Sequence, residues 1–407
     1  METETERLLT PRFMLVVTVG LCYFMALGML LPVVPLFVSR GLRGSDVDVG
    51  IAVGAFAVGA VLLRPFAGRI GDRMGRRVLI VGGALTVAVA GLLYVFASGL
   101  LVLVLVRVLG GIGEAAFFVG AASMITDLSP ESRRGEAISY WSVAVYGGLA
   151  FGPAAGQLLL DGDHYDRVWI ASALLALLAS MLGLLTTETV QPAGRPVPGA
   201  VRPPLLSRSA LAPGAVLFLG LIGLAGFTEF VPLYVRNIGM SSSGTVFLLY
   251  GCLILIVRIF GARVPDRIGP LRAGTLATVL AASGLGLMAA VASPFGLYAG
   301  TVVFSIGMSF LYPAMLTLAL TGLGDSQRGS AVGTVSSFFD ASQGIGALLL
   351  GVVASLAGYR GVFAVGAVLA VAALVLLRSG IDPRARGPID PVAAAAAHES
   401  IEPDLPS

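Results

Sequence analysis

The sequence predicts an all-α membrane protein whose twelve transmembrane helices form two pseudo-symmetric six-helix bundles. Of the 407 residues, 57% are hydrophobic and 12% are charged, and a soluble protein has too little interior to bury so much apolar surface. Twelve apolar stretches are each long enough to cross a bilayer as a helix. They cover residues 13–38, 49–68, 77–97, 99–122, 137–160, 167–187, 213–237, 243–263, 272–293, 295–318, 330–356 and 360–378.

An internal repeat at an offset of 194 residues predicts the two bundles. Residues 64–77 (RPFAGRIGDRMGRR) return as residues 258–272 (RIFGARVPDRIGPLR). The same offset pairs Gly113 with Gly307 and Gly152 with Gly346. A duplicated apolar half is typical of transporters built from two related bundles.

The repeat and the proline content divide the chain into four segments. Residues 1–187 and 213–380 are expected to form the N-terminal and C-terminal six-helix bundles. Residues 188–212 are rich in proline and are expected to be an extended cytoplasmic linker. Residues 381–407 are expected to be a disordered cytoplasmic tail.

The arginines predict the orientation of the chain in the membrane. All 26 basic residues are arginine, and most lie in loops on the side that carries both termini. Because basic loops remain in the cytoplasm, both termini are expected there, in the plasma (inner) membrane of a bacterial cell. The first apolar stretch is too long for a signal-peptide core and is expected to remain uncleaved.

Composition argues against several other classes of function. Cys22 and Cys252 lie in apolar spans, while His164 and His398 lie in a loop and in the tail, so neither a disulfide framework nor a metal site is predicted. No cofactor is expected. Orientation explains the arginines of the short loops better than nucleic-acid binding does. The sequence has no G-x-x-x-x-G-K-[ST] motif, which argues against direct ATP coupling.

The loop after the second span, residues 68–77 (GRIGDRMGRR), resembles the G-x-x-x-D-R-x-G-R-R signature of the major facilitator superfamily. The resemblance covers the whole chain, because the second copy, the twelve spans and the central linker are also typical of that family. It implies the major facilitator fold, in which two bundles alternate between inward-open and outward-open states. It also implies a cytoplasmic latch formed by Gly68, Asp72, Arg73, Gly75, Arg76, Arg77, Asp127, Asp266 and Arg267.

In that family the loop aspartate lies against the start of the eleventh helix, and the loop arginines pair with acids near the fourth, here Asp127 or Glu131. A carboxylate at a helix N-terminus is stabilised by about 0.3–1 kcal/mol. This is enough to bias two closely balanced states. The alternative is a positive-inside anchor with no mechanical role.

The fourth span contains two charged residues, Arg107 and Glu114. The sequence from Arg107 to Gly113 (RVLGGIG) resembles the R-x-x-x-G-x-G motif of proton-coupled members of the family. A spacing of seven places Arg107 and Glu114 on one helical face. Since a charge at the bilayer centre costs roughly 2.5–3.5 kcal/mol, we expect both to face a cavity, to neutralise each other in part and to take part in proton coupling. A static ion pair between helices is the alternative.

Asp340 and Glu229 are two further candidates for proton coupling. Asp340 lies about ten residues into the eleventh span, roughly 15 Å from its cytoplasmic end, without an obvious local partner. It is the better candidate for contacting a cationic substrate or a proton, although a hydrogen-bonded structural role fits equally well. Glu229 lies in the outer half of the seventh span, and a salt bridge to Arg236 at an outer gate fits it as well as a transport role does.

The fifth span carries Gly148, Gly152, Pro153 and Gly156, which resemble the G-x-x-x-G-P-x-x-G motif of antiporter-type exporters. The glycines stack on one face and the proline removes a helix hydrogen bond. Ser139 and Gln157 stand where the longer motif has glycine, which weakens the inference of antiport. A simple packing stripe is the alternative.

Eight aromatic residues are candidates to line the central cavity, because the helices that carry them line it in the family. Aromatic faces beside buried acids suit lipophilic cations, although most aromatic residues in membrane spans pack against other helices or lipid. The eight are Tyr23, Phe117, Trp141, Tyr146, Phe227, Tyr250, Tyr312 and Phe338.

Together these features predict a secondary active transporter rather than an enzyme, with proton-coupled efflux of small amphipathic or cationic compounds as its function. The expected partners are a small-molecule substrate, protons and the lipid bilayer, and the expected functional unit is a monomer. A narrow-specificity metabolite or sugar permease ranks second, because the apolar spans hold few asparagines and glutamines. A non-transporting sensor and a membrane-embedded enzyme rank lower, since the sequence has neither a large soluble domain nor a nucleophile–base pair inside the spans.

Overall fold

The computed structural model describes residues 8–130, 133–189, 207–261, 267–323 and 325–380, and over these ranges the regular structure is helical. Ten helices in the described ranges are long and apolar enough to cross a membrane, and a shorter apolar helix runs over Gly244–Phe260. The predicted all-α membrane architecture is therefore confirmed.

Eleven α-helices follow one another along the described chain. The N-terminal half contains α1 (Pro11–Leu36), α2 (Asp46–Met74), α3 (Arg76–Leu93), α4 (Leu100–Asp127), α5 (Arg134–Leu160) and α6 (Tyr165–Gly183). The C-terminal half contains α7 (Arg208–Asn237), α8 (Gly244–Phe260), α9 (Pro270–Ala290), α10 (Pro294–Leu320) and α11 (Asp325–Gly380).

The last helix, α11, contains two spans. Gly358 has a φ of 68°, which interrupts the helical backbone and divides α11 into a first arm (residues 325–357) and a second arm (residues 359–380). Counted in this way, the described residues provide six spans in each half. Because the spans alternate in direction, the described chain begins and ends at one face of the bundle, which we call the terminal face. The other side is the opposite face.

Polar residues cap the N-termini of several of these helices. Thr10 accepts a hydrogen bond from the Phe13 amide at the start of α1. Ser45 and Asp48 form a capping box at the start of α2, with each side chain accepting from the other residue's amide. Gly75, with a φ of 104°, joins α2 to α3 in a single residue, a conformation that residues with a side chain rarely adopt.

The structure differs from the predicted boundaries at the linker. α7 begins at Arg208 rather than at residue 213, because a helix continues through a proline at the loss of one hydrogen bond. Glu188 and Thr189 extend from the N-terminal half and bind to it. Residues 190–206 of the linker and the predicted tail (381–407) lie outside the described residues.

Glycines allow neighbouring helices to approach closely within each half. A side chain at Gly111 of α4 would overlap the carbonyl oxygen of Phe56 in α2, and one at Gly59 of α2 would overlap the carbonyl of Val108 in α4. Lipid is as apolar as the helix surfaces, so membrane helices associate through such close packing rather than through a hydrophobic driving force.

The two halves meet along α2 with the first arm of α11 and along α5 with α8. Gly50 and Gly54 of α2 lie against the backbone of Ala347 and Gly344, and Gly251 of α8 lies against Ala150 of α5. These contacts lie in the part of the bundle nearer the opposite face.

A shared hydrophobic cluster joins the halves at the same level. Leu160 and Trp169 of the N-terminal half belong to it, together with Phe230, Leu233 and Leu350 of the C-terminal half. Toward the terminal face, a side chain added at Gly68 of α2 or at Gly333 in the first arm of α11 would meet no described atom within 4 Å. The described halves are therefore packed together toward the opposite face.

Replacing Gly111 by alanine is expected to lower the stability of the folded protein. The added methyl group has no space beside the Phe56 carbonyl, and overpacking of this kind costs about 1–3 kcal/mol. Thermal unfolding of the purified protein in detergent measures the effect. The matched control is Gly82→Ala in α3, where an added methyl group meets no atom within 4 Å. Equal unfolding temperatures for the two variants would contradict the prediction.

Candidate functional site

Three charged side chains, Arg64, Glu114 and Asp340, form a buried cluster between the two halves, which we call the charge triad. Nη2 of Arg64 donates a hydrogen bond to Oε2 of Glu114 at 3.1 Å. Nε of Arg64 lies 2.9 Å from Oδ2 of Asp340. Because α2 and α4 belong to one half and α11 to the other, the Arg64–Asp340 ion pair links the halves directly.

Two aromatic side chains, one from each half, lie near the arginine of the triad. The guanidinium carbon of Arg64 lies 5.4 Å from the centroid of the Phe118 ring, which is one helical turn beyond Glu114 on α4. Tyr312 of α10 lies within electrostatic range of both Arg64 and Asp340. The triad is thus bordered by aromatic residues of both halves.

The triad has one positive and two negative groups. With both carboxylates ionised, its net charge is −1. An uncompensated charge inside a membrane protein is costly, and either a bound proton or a bound cation would balance it. The side chains of Arg64, Glu114 and Asp340 are 18%, 13% and 7% exposed, so the cluster keeps only limited access to solvent.

Arg107 lies elsewhere, and its predicted neutralisation by Glu114 is wrong. Nε of Arg107 donates to the carbonyl of Ala52 at 3.0 Å, Nη2 donates to that of Val53 at 3.4 Å, and the guanidinium carbon lies 4.6 Å from the Phe56 ring centroid. Seven residues separate Arg107 and Glu114 by about 10 Å along the helix axis. The carbonyls of α2 are nearer to Arg107, so they bind it instead.

Glu229 is buried in α7 at the junction of the two halves. It is 3% exposed, and it interacts electrostatically with Arg107 of α4. Its Oε2 has no hydrogen-bond partner in the described part of the chain. The outer-gate alternative of a salt bridge to Arg236 does not occur among the described residues. Arg236 lies two turns farther along and is exposed.

The second repeat contains a counterpart of the ion pair that links the halves. The 194-residue offset relates Arg64 to Arg258 and Tyr146 to Asp340. Nη2 of Arg258 donates to the hydroxyl of Tyr146 at 2.8 Å, and its guanidinium carbon lies 3.9 Å from the centre of that ring. An arginine of each half thus reaches the other half, but within the described ranges Arg64 meets a carboxylate there and Arg258 does not.

The sequence analysis missed Arg64 as a site residue, although Arg64 opens the repeated string and lies within the long helix α2. The repetition of an arginine inside a span, at residues 64 and 258, was the available signal. Its partners were not visible, because Glu114 and Asp340 are distant in sequence.

The described residues of the predicted latch lie at the terminal face. Nε of Arg76 lies 3.6 Å from Oδ2 of Asp127, which also accepts a hydrogen bond from Thr189 at 2.7 Å. Glu188, which the sequence analysis missed, accepts from the amides of Arg76 and Arg77 at the start of α3, where a carboxylate is favourable.

The mechanical role of the latch stays a prediction. Asp266 lies outside the described residues, and only the backbone of Asp72 is described, as part of α2. Arg73 and Arg267 are exposed to solvent.

The glycine motif of α5 packs against α1. Side chains at Gly148, Gly152 and Gly156 would overlap the backbone of α1 between Phe24 and Met29, and Pro153 continues the helix. These contacts fit the packing alternative, and a role in antiport stays a prediction.

The eight predicted cavity aromatics fall into two groups. Tyr23 and Phe117 are fully buried and stacked 3.6 Å apart in the N-terminal half. Trp141 and Phe227 are also buried in the cores of their halves. The four that are only partly buried are Tyr146, Tyr250, Tyr312 and Phe338, which makes them the better candidates for substrate contact.

Known proteins resemble this chain over most of its length. It is 30% identical to the uncharacterized MFS-type transporter STM4428 of Salmonella typhimurium over 359 residues, which cover 86% of this chain and 91% of that protein. It is 27% identical to Multidrug resistance protein 1 of Bacillus subtilis over 327 residues, which cover 77% and 82%.

Among solved structures, the fold resembles that of a bacterial homolog of the human lysosomal transporter Spinster in an inward-facing and occupied conformation. The TM-score is 0.74 at 16% identity, and the match covers 93% of this chain and 98% of that one. The family model of the Major Facilitator Superfamily matches residues 16–323 and 266–403. The chain therefore belongs to the Major Facilitator Superfamily and is a multi-pass membrane transporter with the major facilitator fold, not an enzyme.

Proposed function

We propose that this transporter couples the inward movement of protons to the efflux of small amphipathic or cationic compounds by alternating access. The observation that carries the proposal is the charge triad, in which Arg64 is held between a carboxylate of its own half and one of the other half. The similarity to Multidrug resistance protein 1 supports a role in drug efflux.

The position of the contacts between the halves supports an assignment of the transport state. The halves pack together toward the opposite face, through Gly50, Gly251 and the hydrophobic cluster around Trp169. The arginine-rich loops favour a cytoplasmic terminal face. With that orientation, the arrangement corresponds to an inward-facing state with a closed exterior.

The Arg64–Asp340 pair stabilises this state as long as both groups are charged. Separating the partners of a buried ion pair without compensation costs about 3–5 kcal/mol. A proton on Asp340 removes the charge that holds Arg64. A cationic group of a substrate, bound to Asp340, replaces Arg64 as the partner of the carboxylate. Either event releases the link between the halves and lets the exterior open.

Exchange follows because the proton and the cation use the same carboxylate. The empty, unprotonated carrier keeps its ion pair and does not change state, so neither ligand leaks across. A proton that moves inward gains about 2.3 kcal/mol per 100 mV of membrane potential, which can drive the substrate outward.

Neutralising either acid of the triad is expected to abolish uphill transport. Asp340→Asn removes the carboxylate that exchanges a proton for substrate, and Glu114→Gln removes the second carboxylate that binds Arg64; both variants keep the size of the side chain. The measurement is substrate-elicited proton release from energised everted vesicles, over a panel of lipophilic cations, neutral drugs and sugars. Asp166→Asn, an exposed acid at the start of α6, is the matched control and should behave as wild type.

Undiminished proton release in both triad variants would contradict the assignment of the coupling site. A wild-type protein that responds to none of the panel compounds would contradict efflux of amphipathic cations and favour a narrow-specificity metabolite permease. A response to sugars alone would likewise favour the permease.

Gly251→Ala is expected to shift the population toward the outward-open state. The added methyl group would overlap Ala150 of the other half, and overpacking costs about 1–3 kcal/mol, which changes the ratio of states by about fivefold or more. Distances between spin labels across the opposite face report the two states. Gly286→Ala, where the methyl group meets no atom within 4 Å, is the control. An unchanged distance distribution in a folded Gly251→Ala protein would show that this contact does not hold the exterior closed.

A further inference from the structure

Arg258 of α8 is a partly buried cation that the proposed coupling step does not use. Its guanidinium group donates one hydrogen bond to Tyr146 and stacks over that ring. Among the described residues, its buried Nε has no hydrogen-bond partner, and no carboxylate of those residues forms an ion pair with it. A positive charge within a membrane span is costly, so a position without a counter-ion calls for a specific explanation.

The two repeats differ in the groups that accompany the arginine. Arg64 and Arg258 are equivalent, but the 194-residue offset places Tyr146 where the first copy has Asp340, and Met308 where it has Glu114. The arginine is thus present in both copies, whereas both carboxylates are present in only one. The first site therefore carries a net negative charge, whereas the second carries a positive charge that no carboxylate of the described residues balances.

The N–H donors of Arg258 that do not bind Tyr146 are suited to binding a carboxylate. A guanidinium carries five N–H donors in a planar fork that matches two carboxylate oxygens. Tyr146 uses one donor of Nη2 and leaves the others for a ligand. Tyr250, whose ring centroid lies 6.1 Å from that of Phe304, is within electrostatic range of Arg258.

Tyr312 connects the two charged sites. It lies within electrostatic range of Tyr146, which binds Arg258, and also of Arg64 and Asp340. Tyr146 and Tyr312 are both partly exposed. The positive site and the negative site therefore both lie near Tyr312.

We propose that Arg258 binds a carboxylate of the transported compound, so that the preferred substrates are zwitterions whose cationic group meets Asp340 and whose anionic group meets Arg258. This inference rests on the proposed function, because it assigns the substrate class of the same cavity.

A matched pair of ligands tests the assignment. The probes are a zwitterionic xanthene dye that carries a carboxylate and the methyl ester of the same dye, which keeps only the cationic group. Binding of each dye to the full-length protein in lipid nanodiscs is followed by fluorescence anisotropy. The proteins are wild type, Arg258→Gln, Arg258→Lys and Tyr146→Phe, each checked for monodispersity.

Wild type is expected to bind the carboxylate dye about tenfold more tightly than the ester, the effect of one charge-assisted contact. Arg258→Gln should lose this preference because it binds the carboxylate dye more weakly, whereas the ester, which has no group for Arg258 to bind, should not bind more weakly. Arg258→Lys should retain part of the preference, and Tyr146→Phe, which keeps the guanidinium, should retain it.

The preference for the carboxylate must depend on Arg258 if the proposal is correct. An Arg258→Gln protein with the wild-type preference overturns it. So does a wild type that binds the two dyes equally or binds neither. Proton-driven transport of the ester dye reports separately on the proposed function. If Asp340→Asn abolishes proton-driven transport of the ester dye and Arg258→Gln retains it, the coupling site is distinct from the carboxylate site. If wild type does not transport the ester dye, the result contradicts proton coupling and leaves the carboxylate assignment to the binding measurements.

Discussion

The arrangement of this transporter depends on one constraint, which is that a charge inside the membrane needs a partner. Arg64 finds two carboxylates, one in each half. Arg107 binds the backbone carbonyls of α2 and interacts electrostatically with Glu229 of α7. Arg258 binds the phenol of Tyr146 and no carboxylate in the part of the chain that the structure describes. Each of these side chains contacts or faces the other half. A change in the relative position of the halves therefore changes which charged groups are paired, and a change in pairing affects that position.

Close glycine packing makes that pairing possible and allows the halves two discrete arrangements. Gly50, Gly54 and Gly251 let the backbones of the two halves meet near the opposite face, and this contact brings Asp340 within reach of Arg64. Closely packed interfaces switch between discrete arrangements rather than deforming continuously. A change of charge at Asp340 therefore acts on the whole interface and not on one side chain alone.

The sequence was sufficient for the architecture but not for the site. Bilayer thickness sets the length of each span, and the repeat at 194 residues relates the halves, so the spans and the two bundles were predictable. The partners of Arg64 were not. Glu114 lies 50 residues from Arg64 in sequence, and Asp340 lies much farther away. Whether such residues pair depends on how the helices rotate and on which helices are neighbours, and no local sequence pattern encodes either. Local spacing wrongly favoured Arg107 for Glu114, and it offered Arg236 for Glu229.

The most direct test of the account measures opening of the opposite face as a function of pH. Spin labels at Asp166→Cys and Asn237→Cys, two exposed positions in different halves, report this distance once Cys22 and Cys252 are replaced. The account predicts that acidification lengthens the distance in the otherwise unaltered protein. It also predicts that Asp340→Asn, which imitates the protonated acid, shows the longer distance at every pH. An Asp340→Asn protein that keeps the original pH response would contradict the claim that this ion pair holds the exterior closed.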